Sequence, residues 1–127
     1  MDITLPWVAV VDDEDGVRRA LMRLLRSAGI PAMAFDGAAS FLAALPAGAP
    51  CCAVLDVHMP GMSGLELQAL LARQAPAVGV IIMTGHHTPD EQARALQHRA
   101  LAYLLKPMND QQLLAAIGAA CPSWSQS

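Results

Sequence analysis

VAVVDD, residues 8–13, is an unbroken apolar run that stops on two carboxylates. An alternating strand would show one wet face. A continuous one reads as a parallel strand buried on both sides. Two further runs repeat the design: CCAVLD ends at Asp56 and AYLLK ends at Lys106. Between them lie helical patterns. Val17, Leu21, Leu24, Leu25 and Ala28 fall near one face of a 3.6-residue period, giving a helix over about 15–28 stopped by Gly29. Ser63 with Glu66, Thr88 with Pro89 and Glu91, and Asn109 with Gln112 are capping-box starts for three later helices. Another helix spans about 37–45.

Strands are expected over about 7–11, 31–35, 51–55, 78–83 and 101–105. Pro31 suits a sheet edge better than its centre. Strand and helix alternate every 20 to 25 residues, roughly the βα repeat of an open parallel sheet with helices on both faces. Right-handed crossovers put every strand's C-terminal end on one edge, where such sheets bind ligands. Asp12, Asp13, Asp56, Thr84 and Lys106 all stand at or just past those ends. Three carboxylates brought together repel unless something positive joins them, and a hard cation plus the Lys106 ammonium meets that need.

The chain has 127 residues, 54% of them hydrophobic, which suits one domain with a substantial core. Its net charge of −3 gives no reason to expect nucleic-acid binding. Arg18, Arg19, Arg23 and Arg26 form a solvated helix face or a docking surface for an acidic partner. No 18-residue apolar stretch suggests a membrane span, and MDITLPW has no signal-peptide character. Cys51, Cys52 and Cys121 lack metal-ligand spacing and read as small hydrophobes in a reducing cytoplasm.

There is no P-loop, no G-x-G-x-x-G after the first strand, no nucleophile elbow and no H-E-x-x-H. His86 and His87 read as polar loop surface. What remains is a carboxylate nucleophile beside a hard cation. Asp56, alone at its strand end, suits attack on a phosphoryl group to form an acyl phosphate. Asp13 and Asp56 would hold Mg²⁺, with Asp12 placed to hold it through water, while Lys106 and Thr84 would neutralise and donate to phosphoryl oxygens. A phosphatase using an aspartyl-phosphate intermediate is the enzymatic rival. Such phosphatases carry the nucleophile on the first strand in a D-x-D arrangement, whereas here the isolated carboxylate is on the third. A receiver-like interaction module that works without phosphorylation is the other rival.

Taken together, VAVVDDEDGVRRAL, AVLDVHMPGMSGLEL, VIIMTGH and AYLLKP resemble the receiver domain of two-component response regulators, over about residues 5–119. The resemblance implies a flavodoxin-like (βα)5 doubly wound sheet of strand order 2-1-3-4-5. It implies a receiver domain over 1–121 with a polar tail or linker start at 122–127. By position it makes Asp56 the phosphoacceptor, and Asp12, Asp13, Asp56 and the main-chain carbonyl of His58 the Mg²⁺ ligands. Thr84 becomes the hydroxyl that follows phosphorylation, Tyr103 the aromatic switch and Lys106 the phosphoryl contact, with a cis Lys106–Pro107 bond. It further implies a sensor histidine kinase as partner, a phosphorylation-dependent homodimer through the last helices and strand, no direct nucleic-acid or membrane binding, and a cytoplasmic location. Its chemistry is self-phosphorylation and autodephosphorylation, with no free substrate.

Three positions depart from the family pattern. Arg99 stands where a glycine usually ends the fourth helix, so a strained or respaced helix end is expected. His87 replaces a small residue after the Thr84 turn. His58 stands where arginine is common, and is expected to tune the access of hydrolytic water to Asp56.

Overall fold

A computed structural model describes residues 6–121. The proposed tail at 122–127 lies outside them. Five strands, β1 (Val8–Val11), β2 (Ala32–Phe35), β3 (Cys52–Asp56), β4 (Gly79–Thr84) and β5 (Ala102–Leu105), alternate with five helices. These are α1 (Asp15–Ser27), α2 (Ala38–Ala44), α3 (Gly64–Gln74), α4 (Pro89–Gln97) and α5 (Asp110–Ala120). All strand pairs are parallel, and the order across the sheet is β2-β1-β3-β4-β5.

The strand pattern explains the two-sided core. Every residue of β1 and β3 is buried. Ala9, Val11, Ala53, Leu55, Val80 and Ile82 point to one face, where Phe41 of α2, Leu67 and Leu71 of α3, and Ala95 of α4 cover them. Val8, Val10, Val54, Ile81 and Met83 point to the other, under Leu21 and Leu25 of α1 and Leu113 and Ile117 of α5. Full burial of each Val, Leu, Ile, Met or Phe side chain among these contributes roughly 1.5–3 kcal/mol before ordering costs. β2 is an edge strand with Met33 exposed, as Pro31 suggested. Among the described residues no helix is long and apolar enough to cross a membrane.

Helix starts follow the side chains, with two corrections. Ser63 and Glu66 form both halves of a capping box. Thr88 accepts from the Glu91 N–H, but Glu91 does not return the bond; its carboxylate turns toward His58 instead. Asn109 likewise accepts from the Gln112 N–H without a returned bond. Gly29 takes φ 74° and closes α1. Arg99 takes φ 69° just after α4, so the helix keeps the left-handed turn without glycine. That costs a residue with a Cβ roughly 1–2 kcal/mol.

The cysteines require a further correction. Cys51, just ahead of β3, is joined by a disulfide to Cys121, which caps the end of α5. They are 70 residues apart in sequence, and only the packing of α5 on the α1 side of the sheet brings them together. Cys52 alone is a free, buried thiol, and burial pushes it up to about 12.

Candidate functional site

The site forms where β1, β3, β4 and β5 end. β1 and β3 run in register up to Val11 and Leu55, so Asp12 and Asp56 leave the sheet side by side. On the other side Asp56 pairs with Met83 and Thr84 pairs with Leu105. Lys106 then follows β5, its N–H bonded to the Thr84 carbonyl at 2.8 Å.

Asp12 is fully buried and uses both carboxylate oxygens. Oδ1 accepts the Glu14 N–H at 2.8 Å, which turns the chain into α1. Oδ2 accepts from Lys106 Nζ at 2.8 Å. The same ammonium lies 3.2 Å from Asp56 Oδ1 and 3.3 Å from Glu14 Oε1. Asp12, Asp13 and Asp56 each bring an oxygen within 4.8 Å of the others, and of the three only Asp13 is exposed. Glu14 was not singled out in the sequence; its position two residues past Asp12 on the same turn is the only signal it carries.

The charge balance is unequal. Burial, then the neighbouring Asp12 charge, push Asp56 from 3.8 up to about 6, even though Lys106 pulls it down. Burial alone would lower Lys106; the hydrogen bond to Asp12 and the charges of Asp12 and Asp56 outweigh it and raise it. The ammonium therefore stays charged and is overmatched by the carboxylates around it. This donor set, hard oxygens in excess of positive charge, fits a divalent metal ion.

A tight floor supports the pocket. Gly64 opens α3 with its N–H on the Val57 carbonyl at 3.0 Å, and a Cβ there would overlap the main-chain carbonyl of Asp56. No side-chain pattern in the sequence singles out Gly64. Its real role is to let α3 ride on the backbone that carries Asp56.

The opposite wall is made of polar side chains. Thr84 is buried, and its Oγ1 accepts the His86 N–H at 3.0 Å and donates to the His86 carbonyl at 3.1 Å. The next residue, His87, meets the Tyr103 hydroxyl through Nδ1 at 3.1 Å. The His86–His87 pair, read as plain loop surface, thus ties Thr84 and Tyr103 to one short turn. His58 is exposed, with Nε2 3.5 Å from Glu91 Oε2 at the start of α4. The Lys106–Pro107 bond is cis.

Residues 8–118 match the family model for the response regulator receiver domain. The chain belongs to that family. This receiver is 41% identical over 113 residues to nodulation protein W of Bradyrhizobium diazoefficiens, covering 89% of the chain and 50% of that protein. It is 41% identical over 122 residues to the transcriptional regulatory protein FixJ of Azorhizobium caulinodans, covering 94% of the chain and 56% of that protein. The receiver spans about half the length of these curated relatives. Among solved structures it superposes on the response regulator StyR with a TM-score of 0.84 at 39% identity, over 96% of the chain and 62% of StyR. A receiver protein from Burkholderia phymatum gives 0.78 at 43% identity, over 91% and 94%. The sheet order and the acidic cluster are therefore those of a two-component receiver, whose family carries signals by accepting a phosphoryl group.

Proposed function

We propose that Asp56 accepts a phosphoryl group from the phosphohistidine of a sensor histidine kinase, and that Thr84 and Tyr103 convert its arrival into a new surface. The observation that carries this is the buried Asp56 carboxylate, joined to buried Asp12 by the Lys106 ammonium that both of them contact at the open sheet edge. An Asp56 oxygen attacks phosphorus as the P–N bond breaks, and the electron pair returns to the kinase imidazole. Asp12, Asp13, Asp56 and the His58 carbonyl are the residues that would hold Mg²⁺, which when bound neutralises charge on the phosphoryl oxygens. Lys106, already shared among three carboxylates, turns to a second phosphoryl oxygen. Water later takes the phosphoryl group from Asp56 and restores the carboxylate.

Thr84 must exchange its two bonds with His86 for one to the phosphoryl group. That pulls the His86–His87 turn and loosens Tyr103 from His87. The affected face carries Leu96, Leu101 and Leu105, all about half exposed or more. It is the surface through which this receiver would form its phosphorylation-dependent dimer. The expected compartment is the cytoplasm, and transcriptional control, the role printed in the FixJ name, is proposed for the protein that carries this receiver.

The test is phosphorylation by a small-molecule phosphoryl donor with Mg²⁺, followed by intact mass and light scattering. Wild type gains one phosphoryl group and associates, and Asp56→Asn does neither. A modified Asp56→Asn protein would overturn the assignment of Asp56. Unchanged association of a modified wild type would overturn the dimer.

A further inference from the structure

The phosphoryl site occupies one edge of the sheet. A disulfide-bonded pair of cysteines sits at the other. Cys51 precedes β3, and Asp56 ends it, so the two lie about 16 Å apart along the strand at roughly 3.3 Å per residue. Cys121 closes α5, with its N–H on the Ile117 carbonyl at 2.8 Å. The Cα atoms of Cys51 and Cys121 are 6.0 Å apart, within the range a disulfide needs.

Contacts besides the bond also join the two segments. The last turn of α5 is pressed on the start of β4: a Cβ at Gly79 would meet the Ala120 Cβ and a Leu101 methyl at 2.9 Å, with the Cys51 carbonyl at 3.5 Å. The Gly79 N–H bonds that same carbonyl at 3.0 Å. Packing and backbone bonding keep the two segments together, so cleaved thiols stay near enough to re-form the bond while the end of α5 gains freedom. Cys51 is half-buried and can be reached from solvent, whereas Cys121 is 3% exposed and faces its partner. Exchange therefore begins at Cys51 and is resolved by Cys121. Cys52 is fully buried in β3, leaving it out of the exchange.

We propose that Cys51 and Cys121 form a reversible thiol–disulfide exchange site, oxidised by low-molecular-weight disulfides such as glutathione disulfide, that clamps the end of α5 to the sheet. The Cys51 thiolate attacks one sulfur of the small disulfide, making a mixed disulfide and releasing one thiolate. The Cys121 thiolate then attacks the Cys51 sulfur and releases the second. Two cysteines lose two electrons in all, the small disulfide gains them, and the two thiol protons end on the two released thiols. The site gives the receiver a covalent input separate from phosphorylation: in a reducing cytoplasm the pair rests as thiols, and under oxidation it locks α5. Exchange at this pair requires no phosphorylation of Asp56.

The experiment equilibrates the native 127-residue chain in glutathione/glutathione disulfide buffers of graded ratio. Acid quench and alkylation in denaturant then count free thiols by mass. The chain has three cysteines, so the expected result is a reversible passage from three alkylated thiols to one, with native circular dichroism throughout. Cys51→Ser keeps two at every ratio. In parallel, amide exchange at Ala119, Ala120 and Cys121 should quicken about tenfold on reduction, while β1 and β3 amides stay protected. Three thiols at every ratio would overturn the site. One thiol at every ratio would make the bond a permanent cross-link and overturn the exchange. Equal amide exchange in the two forms would overturn the clamp.

Discussion

Asp56→Asn should make the metal-free protein more stable, although it removes an ion-pair partner of Lys106. The Asp56 carboxyl sits at about 6 in the folded chain against 3.8 as the ordinary value. The fold therefore holds its proton more tightly than the unfolded chain does. Between pH 4 and pH 6 the unfolded chain releases that proton first, so stability falls as pH rises and stays lost above pH 6. At about 1.4 kcal/mol per pH unit, the charged Asp56 costs the apo fold about 3 kcal/mol at pH 7.5. An asparagine keeps the shape without the charge, and Lys106 retains Asp12 and Glu14. Urea unfolding in EDTA should place D56N above wild type by about 2–3 kcal/mol at pH 7.5, with the gap closing near pH 4. Added Mg²⁺ should narrow the gap at pH 7.5 by stabilising wild type more than D56N. A D56N protein no more stable than wild type at pH 7.5 in EDTA would refute the claim that burial and Asp12 outweigh Lys106 here.

Two further substitutions probe the same site by urea unfolding. Lys106→Met strands the fully buried Asp12 carboxylate beside Asp56, and should cost about 3–5 kcal/mol in EDTA, partly recovered with Mg²⁺. A loss under about 1 kcal/mol would mean that Asp12 is compensated by other groups. Gly64→Ala forces a methyl into the Asp56 main chain and should cost more than about 3 kcal/mol, since backbone on both sides must shift. Gly16→Ala is its control: its Cβ meets nothing within 4 Å, and helix propensity should add up to about 1 kcal/mol. Equal effects at the two glycines would refute the close-contact account.

The sheet was readable because its three central strands are buried on both faces. Val8–Val11 and Cys52–Asp56 admit no polar alternation, and five short apolar runs with helical spacers leave few topologies. The acidic cluster was readable because crossover handedness sends Asp12, Asp56, Thr84 and Lys106 to one edge whatever the loops do. Pairings that depend on loop paths or side-chain rotamers were not readable. Nothing local in Glu91 says that its carboxylate leaves Thr88 for His58, since both partners lie within its reach. Cys51 and Cys121 are 70 residues apart, and their meeting follows from where α5 ends on the sheet rather than from spacing. Arg99 was legible as a misfit; its φ of 69° shows that the turn was kept and the side chain tolerated. The part of Gly64 was hidden because a residue without a side chain leaves no pattern, only room.

That room makes the pocket mechanically lopsided. On the α3 side, backbone rests directly on backbone, with no side chain between Gly64 and Asp56 to take up movement. On the α4 side, the contact runs through rotatable groups: Thr84 on His86, and His87 on Tyr103. One wall is stiff and the other compliant. A push that begins at Asp56 will displace the compliant wall, so the direction in which this receiver reports is already set by the stiffness of its unmodified state.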